Sequence, residues 1–143
     1  MSALHHDRDD FTAATIEALD HAIAEHRSTR TLPSDSTSAS IVVGLDLTAV
    51  RDQALEALDP ATARLDTDLW AHLTRTAPTG YRDHPAALAA LAAWLGGDGA
   101  SAWTALDVQT TRTTLGSLVA TALSRGISPQ VWTQIRDDAG SPD

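Results

Sequence analysis

The stretch AALAALAAWLGGDGASAWTAL, Ala86 to Leu106, holds the longest uncharged apolar run in the chain, and its reading decides the fold. Ala86 to Leu95 is mostly alanine with no β-branched residue, which is the composition of highest helix propensity. Leu88, Leu91, Ala92 and Leu95 recur at the spacing of one helical face. His84-Pro85 opens this helix, because the missing N–H of a proline costs nothing at the first helical position. Gly96 and Gly97 release the chain, and Asp98 is placed to cap a second helix with Ala102, Trp103 and Leu106 on its inner edge. So short a turn predicts an antiparallel hairpin, with Trp94 and Trp103 filling the volume beside closely packed alanines.

Further helices follow on both sides. Towards the N-terminus, Thr62 to Thr76 carries Leu65, Leu69, Trp70 and Leu73 as a core stripe, with Arg64, Asp68, His72 and Arg75 outside and Pro78 and Gly80 marking its end. Thr48 to Leu58 is amphipathic, capped by Thr48 with Asp52 in its first turns, and turns Val50, Ala54, Leu55 and Leu58 inward. Ile41 to Leu47, IVVGLDL, has the β-branched content of a strand but no partner strand in the sequence, so a short buried helix is favoured. Ser28 to Ser40, STRTLPSDSTSAS, reads as a linker, mobile or wrapped loosely over the surface, that divides a helical N-terminal arm from the main body. Before it, Phe11 to about His26 forms a helix capped by Asp9 or Asp10, with Ile16, Leu19, Ala22 and Ile23 buried. Beyond the hairpin, Arg112 to Arg125 packs through Leu115, Leu118, Val119 and Ala122, and Ser128-Pro129 starts a last helix with Val131, Trp132 and Ile135. The expectation is an all-α antiparallel bundle of about six to eight helices. It divides into an N-terminal helical arm over 1–27, a Ser/Thr-rich linker over 28–40, a helical domain over 41–138 and a tail over 139–143.

Composition narrows the chemistry. A chain of 143 residues is long enough to bury its own core. The absence of cysteine excludes disulfides, thiolate zinc sites and a cysteine nucleophile. All ten cations are arginine, and the formal charge is −9, which argues against nucleic acid as a direct partner. No run approaches the roughly 20 apolar residues that span a bilayer, and MSALHHDRDD lacks the features of a signal peptide, which makes the cytoplasm the expected location. There is no Ser-His-Asp spacing, phosphate loop or H-E-x-x-H. GGDG offers no nearby cation for a phosphate, and no cofactor or catalytic residue is expected.

Two features bear on metals. His5, His6 and Asp7 are adjacent in the leader, and Glu17, His21 and Glu25 stand four apart on one helical face, where two carboxylates and an imidazole can share an ion. A solvated face is the commoner meaning of such a ladder.

The ordered series VRDQAL (Val50 to Leu55), LW (Leu69 to Trp70), R-x-x-P (Arg75 to Pro78), Tyr81, LAALAAWLGGDGASAWTAL and LSRGISPQVW (Leu123 to Trp132) resembles the actinobacterial DUF4192 family. The likeness covers Ile41 to Trp132 and leaves the N-terminal arm aside. Members are usually longer, so the resemblance implies a short form carrying the C-terminal helical part. It also suggests a tetratricopeptide (TPR)-like hairpin at Gly97-Asp98 and Ala102, although Gln109-Thr110 and Thr114 stand where an Ala-Leu pair and a proline belong.

These readings favour a non-enzymatic domain that binds another protein through an exposed helical face and uses its acidic surface to select basic partners. A second copy of the chain is a further candidate partner. The candidate residues are Arg51 and Asp52, read as a partner contact or as an internal ion pair that fixes one helix against the next, with Trp70, Arg75, Tyr81, Trp94 and Trp103. Of the four tryptophans Trp70, Trp94, Trp103 and Trp132 most are expected in the core, and one or two exposed would mark a docking surface. The alternatives are a small metal-binding protein or hydrolase using His and carboxylates, and an acidic decoy of a nucleic-acid-binding protein.

Overall fold

The computed structural model describes the backbone of residues 2–134 and the side chains of residues 7–134. Every regular element among them is helical: α1 (Ser2–Thr29), α2 (Asp35–Gly44), α3 (Thr48–Ala57), α4 (Ala63–Thr76), α5 (Asp83–Leu95), α6 (Gly99–Val108) and α7 (Thr114–Ser124), with a further turn over 130–134. The all-α expectation holds. The side chains of His5 and His6, Ile135, and the 139–143 tail lie outside the described residues.

The core lies around α5, where every residue from Pro85 to Leu95 is buried. The sequence suggested one apolar stripe, but α4, α6 and α7 cover this helix from several sides, and an alanine-rich helix apolar all round suits that position. It begins at Asp83, so Pro85 is its third residue. The Asp83 carboxylate accepts the backbone N–H groups of Thr110 (2.8 Å) and Thr111 (3.2 Å), while its carbonyl accepts Gln109 Nε2 (2.7 Å). These bonds tie the start of α5 to the end of α6, so the two helices run antiparallel. The hairpin turn is a Schellman motif: Asp98 N donates to Ala93 O (2.9 Å), Gly97 N donates to Trp94 O (3.0 Å), and Gly97 has φ +81. As expected, Asp98 caps α6, accepting Ser101 N at 3.0 Å. The α7 helix ends in the same way at Gly126 (φ +62), and Trp94 Nε1 donates to Ile127 O at 3.3 Å, joining the two helix ends.

The N-terminal segment differs from the sequence reading. α1 starts at Ser2, because nothing between Ser2 and Thr29 is a helix breaker, so Asp9 and Asp10 are interior residues and not caps. It packs on α2, α3 and α4 through buried Leu19, Ala22 and Ile23. Nor is 28–40 a linker throughout. Ser34 accepts Thr37 N (3.2 Å) as the cap of α2, and Ser38, Ile41 and Val42 are buried. Of the hydroxyls that suggested a linker, Ser34 is this cap and Ser36, Thr37, Ser38 and Ser40 lie in α2 behind it, while Ser28 and Thr29 close α1. Ile41 to Gly44 completes α2 as helix, and the chain turns at Leu45 to Leu47.

One buried ion pair fastens α1 to α4. Arg27 Nη2 lies 2.6 Å from Asp66 Oδ2, and Arg27 also donates to Asp66 Oδ1 (3.0 Å) and Ala57 O (2.8 Å), while Thr62 Oγ1 donates to Asp66 (3.2 Å). The bond to Asp66 raises the Arg27 pKa above its already high ordinary value, against the opposing effect of burial.

Candidate functional site

The packing leaves α1, α2 and α3 on one side of α4, and α5, α6 and α7 on the other. Where these groups meet, α3 and α7 flank the first turns of α5, which are buried from Pro85 onward. The result is a cleft of about 370 Å³, with Leu55, Leu88, Leu115, Leu118 and Trp132 among its apolar lining residues and Thr48, Arg51, Asp52, His84, Thr113 and Thr114 among its polar ones. Leu118 is 63% exposed, the most exposed large apolar side chain described. The indole N–H of half-buried Trp132 is itself buried and has no hydrogen-bond partner among the described residues.

Local structure fixes each of these groups. Arg51 donates to Leu45 O (2.8 Å), Asp46 O (3.0 Å) and Thr48 Oγ1 (3.2 Å), so its guanidinium caps the end of α2 and is held rigid at the rim. The expected fixing of one helix against the next is made by Arg51 through these carbonyls of the α2 end, not through an ion pair, and Asp52 is exposed. Thr48 is also not the cap of α3, since Leu47 takes that position without a side-chain bond. His84 is half-buried at the base of the cleft. Burial, and then the positive charge of nearby Arg51, lower its pKa from the ordinary 6.5, which favours the neutral ring. Tyr81 borders a smaller hollow of about 180 Å³ that meets the cleft at His84 and Thr113.

The candidate residues therefore separate. Arg51 and Asp52 line the cleft and Tyr81 the adjoining hollow, whereas Trp70 is in the core and Trp94 is buried and bonded to Ile127. Arg75 stands on a different groove, between α4 and α6 over Ala89. Trp103 was expected on the inner edge of α6 but is 39% exposed, because Ala102 and Leu106 take the buried face. With Trp70 and Trp94 enclosed, there is no patch of clustered tryptophans among the described residues. His72, expected outside, is half-buried with Nε2 3.4 Å from Ser38 Oγ. In the α1 ladder His21 Nε2 lies 3.0 Å from Glu25 Oε2, and no group of three His or carboxylate residues among those described is arranged to hold a metal. No described helix is long and apolar enough to cross a membrane.

Sequence reasoning missed Leu118 and His84. Leu118 was assigned to the core because Leu115, Leu118, Val119 and Ala122 form an acceptable stripe, but α7 buries Gly116, Val119 and Ala122 instead. Gly116 marks the buried face: a Cβ there would run into the Gln109 side chain and press on Arg112, both in the loop leading into α7. His84 was read only as part of a helix start.

The chain matches the protein family described as "Domain of unknown function (DUF4192)" over residues 2–130. No curated protein and no solved structure matches it. The match ends at residue 130, close to the expected Trp132, but begins far before the expected Ile41 and takes in α1, in keeping with the packing of that helix on α4. Since it spans all of α1 to α7, the chain belongs to the DUF4192 family.

Proposed function

We propose that this domain binds another protein, and that the α3–α7 cleft is where it docks. The observation that carries the reading is Leu118, 63% exposed at a cleft that half-buried Leu55 and Leu115 also line. An apolar centre with a polar rim is the anatomy of a protein-binding hot spot. Arg51 and Asp52 supply that rim, with the guanidinium already fixed by backbone carbonyls, so little ordering entropy is lost when a partner arrives. Trp132 adds a large apolar surface and one hydrogen-bond donor. The α5–α6 hairpin is consistent with a TPR-like unit, a construction that presents helical faces to partner segments.

The test is selection from a displayed random peptide library on the intact protein, followed by measurement of the recovered peptides on Leu118→Asp. The proposal expects a recurrent peptide with an apolar anchor that binds the wild type and loses about tenfold or more on the variant, the size of effect of a hot-spot residue. Recovered peptides that bind both proteins equally, or a selection that yields none, contradict it.

A further inference from the structure

A second surface, sharing no lining residue with the α3–α7 cleft, runs along α1. After α1 the chain passes through Arg30 at φ +63, a left-handed conformation steadied by guanidinium bonds to the carbonyls of His26 and Arg27. This turns Thr31 to Ser34 back beside the helix. The groove between them measures about 560 Å³; its floor includes Ala14, Ala18 and Ala22, and Leu32 and Pro33 form the opposite wall. Leu32 is 40% exposed there. The charged side chains facing this apolar surface are Glu17 and Glu25, with His21 between them beside Glu25, and no arginine lines it.

The geometry points to a docking groove for a cationic, extended segment of a partner protein. Charge complementarity selects the occupant: the groove offers two carboxylates, within a chain of formal charge −9. Spacing defines it further. Glu17 and Glu25 are two helical turns apart, about 12 Å, and an extended chain covers about 13 Å in four residues. Cationic side chains at positions i and i+4 of a strand therefore reach both carboxylates. The residue at i+2 points the same way and, if apolar, lies on Leu32 and the alanines. This site does not depend on the cleft, and either can fail without the other.

The test uses the intact protein and a fluorescent, end-capped peptide, Arg-Ser-Leu-Ser-Arg, followed by anisotropy at low ionic strength. The wild type should bind it, and binding should weaken as salt rises. The double variant Glu17→Gln/Glu25→Gln should lose about tenfold in affinity. Glu56→Gln/Asp107→Asn, which removes the same formal charge from exposed sites outside the groove, should bind like the wild type. Leu32→Ser should weaken binding without altering its salt dependence, and a rearranged peptide with adjacent arginines should bind less well. No binding by the wild type, equal losses in the two double variants, or equal binding of the rearranged peptide would each overturn the assignment.

Discussion

Arg27 and Asp66 make an unequal pair, and the inequality can be tested. The Asp66 side chain is almost wholly enclosed, whereas the Arg27 side chain retains 30% of its exposure. Removing Asp66 leaves an arginine that can still reach water, so Asp66→Ala should cost about 2 kcal/mol, chiefly in lost hydrogen bonds. Removing Arg27 leaves a carboxylate buried with only Thr62 beside it, and Arg27→Ala should cost about 3 kcal/mol or more. Urea unfolding of both variants gives the order, and the reverse order would show that the carboxylate is better solvated than its burial implies. Neither residue was legible in the sequence as a partner of the other, since 39 positions separate them. His84 adds a pH dependence. Its folded pKa lies below the ordinary 6.5, so the unfolded chain binds more protons between those two values. Its contribution to stability is therefore complete above the ordinary value and declines as pH falls through 6.5 towards the lowered one. In urea midpoints measured from about pH 7 to about pH 5, His84→Asn should show a shallower decline than the wild type. Parallel curves would show that the ring titrates as in the unfolded chain.

Among the elements, the α5–α6 hairpin was the most legible, because each of its signals is local: alanine for the helix, two glycines for the stop, an aspartate for the cap. Gly97 does the work at φ +81, where a Cβ would meet no neighbouring atom but would suffer the left-handed backbone clash. Gly97→Ala should therefore cost about 1–2 kcal/mol without changing the fold, as read by thermal melting together with an unchanged helical circular dichroism spectrum. A neutral result would mean that the turn has an alternative closure. α2 was the least legible. Serine and threonine serve linkers and helix caps equally well, and only the tertiary partner, here α1, decides between them. Gly44 shows how close that partner lies, since a Cβ would run into Thr15 Cγ2. Gly44→Ala should destabilise by about 1–3 kcal/mol as α1 and α2 are forced apart. On α6 and α7 most of the expected face is buried, through Ala102 and Leu106 and through Val119 and Ala122, and the misplaced residues are Trp103 and Leu118. Small residues, Ala102 and Gly116, take the buried positions and leave Trp103 and Leu118 outside, whereas a hydrophobicity pattern ranks the larger side chains as core.

For the molecule as a whole, both proposed surfaces depend on how the helices of the N-terminal half dock. The cleft exists because α3 stands opposite α7, and the groove exists because α1 is held in place by α2 and α4. Leu118→Asp should leave the melting temperature within a few degrees of the wild type, because the side chain is already in solvent. A large fall would mean that Leu118 belongs to the core and that the cleft is closed. Two of the seven candidate residues, Arg51 and Asp52, were found together at the cleft, with Tyr81 on the adjoining hollow, because helix starts and turns, which are readable in sequence, happen to border it. Convergence of α3 and α7 over α5 was not readable, since it depends on long-range packing through α4. The most direct measurement of the central claim, that α1 to α7 form one cooperative body around α5, is native-state hydrogen exchange resolved by residue. The account predicts that the amides of Leu19 to Ile23 in α1 and Leu88 to Leu95 in α5 exchange with the same free energy, that of global unfolding. Exchange in α1 that is faster by several kcal/mol would contradict it, and would return α1 to the separate arm that the sequence alone suggested.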